Sequence, residues 1–211
     1  MPEEKRSGVK LAIAWIIFAI LCGLYVYIFY IYDAAEEVAP GSTYTVEMDI
    51  PDDANYRLCD IEEINELIVD YLSARVSCNQ ETLQSLVTDP TEFDDMTSVE
   101  RVALYLRGFN NTTCYIADGY EEGSYLVIEL SNINIANVQS EPLDIISFYV
   151  ITDTDGSYKI YNEDLSSEQQ AYVDTLKAGS DIQDIYIHVK ENIDYLLEVD
   201  ETFAGFYDLI N

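Results

Sequence analysis

Basic residues are scarce in this chain: ten lysines and arginines stand against forty aspartates and glutamates, for a formal charge of −30. A field of that sign repels nucleic acid and anionic head groups and favours cations or basic partners, so no nucleic-acid partner is expected. Histidine is scarcer still, with His188 alone. The cysteines Cys22, Cys59, Cys78 and Cys114 match no zinc spacing and contain no Cys-x-x-Cys, so the parts of a zinc site and of a Cys/His catalytic pair are missing. Buried free thiols are the expected state. Should one bridge form, Cys78 to Cys114 is the first pair to consider, although spacing does not fix connectivity. Asp153-Thr-Asp155-Gly156 looks like the start of a calcium loop, but the remaining oxygen ligands of such a loop do not follow. It reads as a hairpin turn. No cofactor and no metal are expected, and no catalytic residue is named.

What the chain does have is a long apolar run, Leu11 to Tyr32, without a single charge. As a helix it spans about 33 Å, enough to cross a hydrocarbon core of about 30 Å. Lys5, Arg6 and Lys10 precede it and Asp33, Glu36 and Glu37 follow, with no further basic residue until Arg57. The positive-inside rule then sets the N-terminus in the cytoplasm. Lys10 and Trp15 near the inner end, and Tyr25, Tyr27, Tyr30 and Tyr32 near the outer end, fit the interfacial anchors of such a span. A cleaved signal peptide would have a shorter apolar core ending at a small-x-small site, whereas this run closes on Tyr-Val-Tyr-Ile-Phe-Tyr-Ile-Tyr. A buried core helix apolar on every face would need a much larger protein around it. The expected organisation is a cytoplasmic tail over 1–10, a transmembrane helix over 11–32, an acidic extracytoplasmic linker over 33–59 and an extracytoplasmic α+β domain over 60–211. The linker, with Pro40-Gly41 and Pro51-Asp-Asp, repels itself and extends; a short strand over Tyr44 to Met48 is compatible with it.

Within the domain the hydrophobic period first reads helical. Ile61, Ile64, Leu67, Ile68, Tyr71 and Leu72 share a face, with Asp60 and Glu63 as a cap. A short helix over Asn79 to Val87 stops before Pro90. A third begins at Thr97 or Ser98 and carries Val102, Tyr105, Leu106 and Phe109 on one face. The period then drops to two, predicting strands over Thr112–Asp118, Ser124–Ile135, Ile145–Thr152 and Ser157–Tyr161, with Asp155-Gly156 as a tight turn. Successive antiparallel pairing is the simplest topology. Helical patterning returns after Asn162, with Ser166/Gln169 and Ser180/Gln183 as capped starts and Gly179 between them. Ile182, Ile185, Val189, Ile193 and Leu196 form the stripe of the longer helix, His188 lies beside that stripe as a half-buried structural residue, and Phe203, Phe206, Tyr207 and Leu209 close the chain.

Helices followed by a four-stranded meander resemble the nuclear transport factor 2 like, or cystatin-like, fold, in which a curved sheet wraps a long N-terminal helix. The segments Phe109-Asn-Asn-Thr-Thr-Cys-Tyr, Glu122-Gly-Ser-Tyr-Leu-Val, Phe148-Tyr-Val and Asp155-Gly-Ser-Tyr-Lys-Ile-Tyr-Asn resemble uncharacterised single-span membrane proteins of anaerobic Gram-positive bacteria that carry such a domain outside. That resemblance implies a single-pass plasma-membrane protein with an extracytoplasmic accessory domain; the C-terminal helices extend beyond the minimal fold and are expected to cover a sheet edge or face. The assembly proteins of conjugative secretion share the same plan.

Two functions follow as expectations. The first is a non-catalytic, membrane-anchored accessory or interaction module that binds a protein partner or envelope component, in addition to the lipid bilayer its helix spans. Its candidate recognition surface is a set of strand tyrosines, Tyr115, Tyr125, Tyr149, Tyr158 and Tyr161, weighed against the plainer reading that they pack the sheet. The second is a small-ligand or isomerase/hydratase-like pocket inside the cone. The fold resembled includes ketosteroid isomerase like enzymes, which pair a carboxylate base with an oxyanion donor there.

Overall fold

The computed structural model describes residues 54–210. The tail, the apolar run with Lys10, Trp15, Tyr25, Tyr27, Tyr30 and Tyr32, the Tyr44–Met48 segment and most of the linker lie outside the described residues. Among those described, no helix is long and apolar enough to cross a membrane.

The domain is α+β, with six helices and a five-stranded antiparallel sheet. Strands β1 (Arg57–Leu58), β2 (Leu106–Asp118), β3 (Ser124–Ile135), β4 (Leu143–Thr152) and β5 (Tyr158–Ile160) pair in chain order, a meander. Three helices precede β2: α1 (Glu62–Ser77), α2 (Gln80–Leu86) and α3 (Thr97–Ala103), with a 3-10 turn over Pro90–Phe93 between the last two. Three more follow β5: α4 (Ser167–Lys177), α5 (Ser180–Val199) and α6 (Glu201–Ile210).

The meander and its tight turn are as expected. Asp153 N–H donates to Ser157 O at 2.7 Å, and Gly156 takes the left-handed conformation (φ 88°) that a side chain would resist. Asp155 is occupied by the turn itself, its Oδ1 accepting from Ser157 N and Oγ. The fifth strand was not expected. Arg57–Leu58 pairs with Tyr115 and Ile116, and Tyr56 and Cys59 beside it are buried, so the C-terminal end of the segment read as linker belongs to the sheet.

The expected third helix is also corrected: it ends at Ala103, and Leu106 through Phe109 are strand. Gly108, Asn110, Asn111 and two threonines form helices poorly, whereas in β2 the segment pairs with Ile135 through Leu130 of β3. Two caps differ as well. Ile61 caps α1 without a side-chain bond, and Gly179 rather than Ser180 caps α5. Ser166 and Gln169 do form the reciprocal capping box of α4.

The helices sit on both faces of the sheet. On one, Ile64, Ile68 and Leu72 of α1 and Leu83 of α2 pack on Ile116, Val127 and Val150. On the other, Val173 and Leu176 of α4 and Ile182, Ile185 and Val189 of α5 pack on Tyr115, Leu126, Ile128 and Tyr149. β3 is therefore covered on both sides, which explains its near-continuous apolar run rather than a clean alternation. The C-terminal helices do cover a sheet face, as expected, and Phe203 of α6 joins Leu196 and Ile135 in a third cluster.

Candidate functional site

The five tyrosines offered as a recognition surface are divided between the two faces of the sheet, Tyr125 and Tyr158 on one and Tyr115, Tyr149 and Tyr161 on the other. Tyr115 and Tyr149 are buried under α4 and α5. Tyr125 and Tyr158 stack edge to face on the opposite side, with ring centres 6.0 Å apart, and Tyr161 leans on Tyr149 at 6.2 Å. Their role is packing across the strands. The Tyr149 hydroxyl is fully engaged: it donates to Glu121 Oε2 (2.8 Å), accepts from Tyr120 N–H (3.1 Å) and lies 2.9 Å from Ser124 Oγ. His188, expected half-buried, is exposed on α5, with Nδ1 3.8 Å from Glu191 Oε2.

Two other places stand out, and neither was singled out in the sequence. The first is a groove of about 220 Å³ between α1 and the first half of β2, lined by Val69, Leu72, Ser73 and Val76 on the helix and by Arg107 to Phe109 and Thr112 on the strand. It forms because β2 is long and β1 is short. β2 pairs with β3 along its length, but β1 meets it only at Tyr115 and Ile116, extended by the Cys59 N–H bond to Cys114 O (2.8 Å). From Leu106 to Thr113 the outer edge of β2 has no backbone partner among the described residues.

The second is a buried acid. Glu129 faces α1 from the middle of β3, opposite Cys114 on β2 and Ile146 on β4, and is 0 % exposed. Neither carboxylate oxygen has a hydrogen-bond partner, nor has the nearby Ser131 hydroxyl. Burial pushes the Glu129 carboxyl up to about 7; the Ser131 hydroxyl acts against this without reaching bonding geometry, and Asp144 adds to it. Asp144 is itself raised by burial, opposed by the backbone N–H of Ile145 and by Arg75, which lies over the Tyr71 ring. Burial, with Glu129 and Cys59 nearby, pushes the Cys114 thiol up to about 12.

A carboxyl poised near neutrality is suited to proton transfer. Glu129, however, is not among the groove-lining residues, so a substrate would reach it only if α1 moved. Cys59, Cys78 and Cys114 are all free thiols. The pair brought side by side is Cys59 and Cys114; Cys78 sits at the left-handed C-cap of α1. Among the described residues no cluster of His, Cys, Asp or Glu is placed to hold a metal ion.

A signal for Glu129 was present in the sequence, as the lone acid inside Leu126-Val-Ile-Glu-Leu. The β2 edge gave none, because its first residues carry a helical period. No family model, no curated protein and no solved structure matches this chain.

Proposed function

We propose that this chain is a single-pass plasma-membrane protein with a cytoplasmic N-terminus, and that its extracytoplasmic α+β domain is a non-catalytic accessory module that binds a protein partner or envelope component. The apolar run flanked by Lys10 and Asp33 supports the anchor and its direction. The order of helices before an antiparallel meander supports a nuclear transport factor 2 like domain of the kind carried by single-span proteins of Gram-positive bacteria. Beside that plan stand the added strand β1 and the second helical layer.

One observation carries the binding role. Both faces of the sheet are filled by the chain's own helices, while the edge of β2 lies open beside a groove lined by Val69, Leu72, Val76 and Phe109 together with Ser73, Arg107 and Thr112. Unpaired strand edges are templates for association, and proteins that do not use them usually cover them.

The test is protease treatment of intact cells expressing the full chain, followed by cross-linking in the same membranes. External protease is expected to remove the folded domain, and cross-linking to join it to a discrete partner. A domain cleaved only after lysis overturns the topology. A domain that joins no partner under any salt condition overturns the binding role.

A second reading, a small-ligand or isomerase-like site under α1, is favoured by Glu129, a fully buried carboxyl without a partner. It requires a cavity to open between α1 and β3. Its test is Glu129→Gln, which on this reading abolishes ligand binding or turnover without unfolding the domain.

A further inference from the structure

We propose that Cys59 and Cys114 join in a disulfide that staples β1 to β2 when the domain reaches an oxidising compartment, an inference that rests on the external placement above. Leu58 pairs with Tyr115, and the next step of the antiparallel ladder sets Cys59 opposite Cys114, with Cys59 N–H donating to Cys114 O at 2.8 Å. Residues opposed in this way have Cα atoms about 5.5 Å apart, within the range of about 4.4–6.8 Å that a disulfide spans. Alternation puts both side chains on one face: Cys59, Cys114 and Ile116 belong to the α1 layer, while Tyr56 and Tyr115 belong to the other. The strands already stand at bridging separation. Closing the bond asks only that side chains turn, Cys59 giving up its Sγ contact with Ile61 O (3.5 Å).

Cys78, the partner first considered from the sequence, is in the wrong place. It caps the C-terminal end of α1, whose 16 residues make a rod of about 24 Å. Cys59 lies at the opposite end, its carbonyl accepting from Asn65 Nδ2 in the first turn of that helix.

The use of the bridge follows from how little else holds β1. The strand has two residues, both exposed, fewer than strands usually have. The ion pairs of Arg57 with Asp60 and Asp118 are also exposed, and pairs of that kind contribute little. A bond from Cys59 to Cys114 closes a loop that contains α1, α2, α3 and the first half of β2. It ties the first helical layer to the sheet at the strand where the N-terminal part of the chain enters the domain.

The chemistry balances with another disulfide as oxidant, the class that small-molecule disulfides and thiol oxidoreductases supply in an oxidising compartment. One cysteine, as thiolate, attacks a sulfur of the oxidant and expels a first thiol, leaving a mixed disulfide. The second cysteine attacks the protein sulfur of that intermediate and expels a second thiol. Two electrons and two protons leave the cysteines, and the oxidant is reduced to two thiols. Burial raises both cysteine thiols, Cys114 to about 12, so the enclosed pair exchanges slowly. The bond therefore forms as the chain folds, before α1 closes over the layer.

The experiment refolds the purified full chain from urea in detergent micelles, with oxidised glutathione or without it, then alkylates the remaining thiols and maps the peptides by mass. One intramolecular bond, Cys59 to Cys114, is expected with the oxidant, and it is expected to persist in Cys78→Ser. Reducing agent should open it quickly in urea and slowly in the folded chain. In urea unfolding the bridged chain should favour the folded state by a factor of about a hundred or more over the reduced chain, a comparison within one sequence that needs no cysteine variant to fold.

Four alkylated cysteines after refolding with the oxidant, or a bond that uses Cys22 or Cys78, overturns the inference. So does a bridged chain no more stable than the reduced one. The same alkylation on intact cells separates the bridge from the topology. Free Cys59 and Cys114 in a domain that external protease removes overturn the bridge and leave the external placement standing; a domain that protease cannot reach overturns the placement, and with it the bridge in cells.

Discussion

On the α4/α5 face of the sheet the buried polar groups are nearly all paired. Tyr149 holds Glu121, Ser124 and the Tyr120 N–H; Asn192 Oδ1 accepts from Leu143 N–H at 2.9 Å; and Asn132 bridges Asn111 and Glu141 O. The exceptions are the Tyr56 hydroxyl, which burial keeps neutral, and the Ser140 hydroxyl near the end of α5. On the α1 face an equally dry layer encloses Glu129 without one hydrogen bond, and the groove opens beside it. A buried neutral hydroxyl without a partner costs a few kcal/mol at most, about 1–3, while a buried unpaired charge costs far more unless it takes a proton. The α4/α5 face is finished as structure. The α1 face carries the unsatisfied group and the open edge, which is where association or chemistry has room to act.

The largest expected effect asks whether both layers belong to one cooperative unit. Ile68→Ala under α1 and Ile128→Ala under α4/α5, each at a site 0 % exposed, should each cost about 2–5 kcal/mol in urea unfolding. A cost on one face and none on the other would mean that the spared face is not an integral layer.

Glu129 separates the faces by pH. Its folded pKa is about 7 against an ordinary 4.5, so the folded state keeps a proton that the unfolded chain releases. Stability then falls as pH rises from 4.5 to 7 and stays low above that. Glu129→Gln should be neutral near pH 4.5 and stabilising by about 3 kcal/mol at pH 8. A variant that gains nothing at pH 8 would show that the carboxyl finds a partner in solution.

Tyr149→Phe strikes the paired face and should cost about 1–3 kcal/mol, because it leaves Glu121 and Ser124 short of a bond. Smallest is the α6 cap. Asp200 would be raised by its burial, but bonds from Thr202, Ser140 and Phe203 hold it well below the usual carboxylate range. Asp200→Ala should cost about 1 kcal/mol at neutral pH, and the difference from wild type should shrink as pH falls below 3.8, the carboxyl's ordinary value, where it begins to protonate in the unfolded chain.

The meander, the β3 boundaries and the Ser166 capping box were legible because each rests on local chemistry: period, turn glycine, paired cap residues. Leu106 to Phe109 was misread because Val102, Tyr105, Leu106 and Phe109 are spaced as on a helix, and only pairing with β3 makes them strand. β1 was missed because two residues carry no period. The groove follows from the mismatch in length between β1 and β2, a tertiary property absent from either strand alone. Glu129 was visible as an acid in an apolar run, but its isolation depends on which neighbours the register brings to it.

The central claim is that the domain's working surface is the α1/β2 edge and not the α4/α5 side. Site-specific photo-cross-linking of the full chain in its membrane tests it, with the reactive residue at Val69 in the groove or at Gln170, exposed on α4. The expected result is one discrete adduct from Val69 and none from Gln170. An adduct from Gln170 with none from Val69, or the same adducts from both, would contradict it.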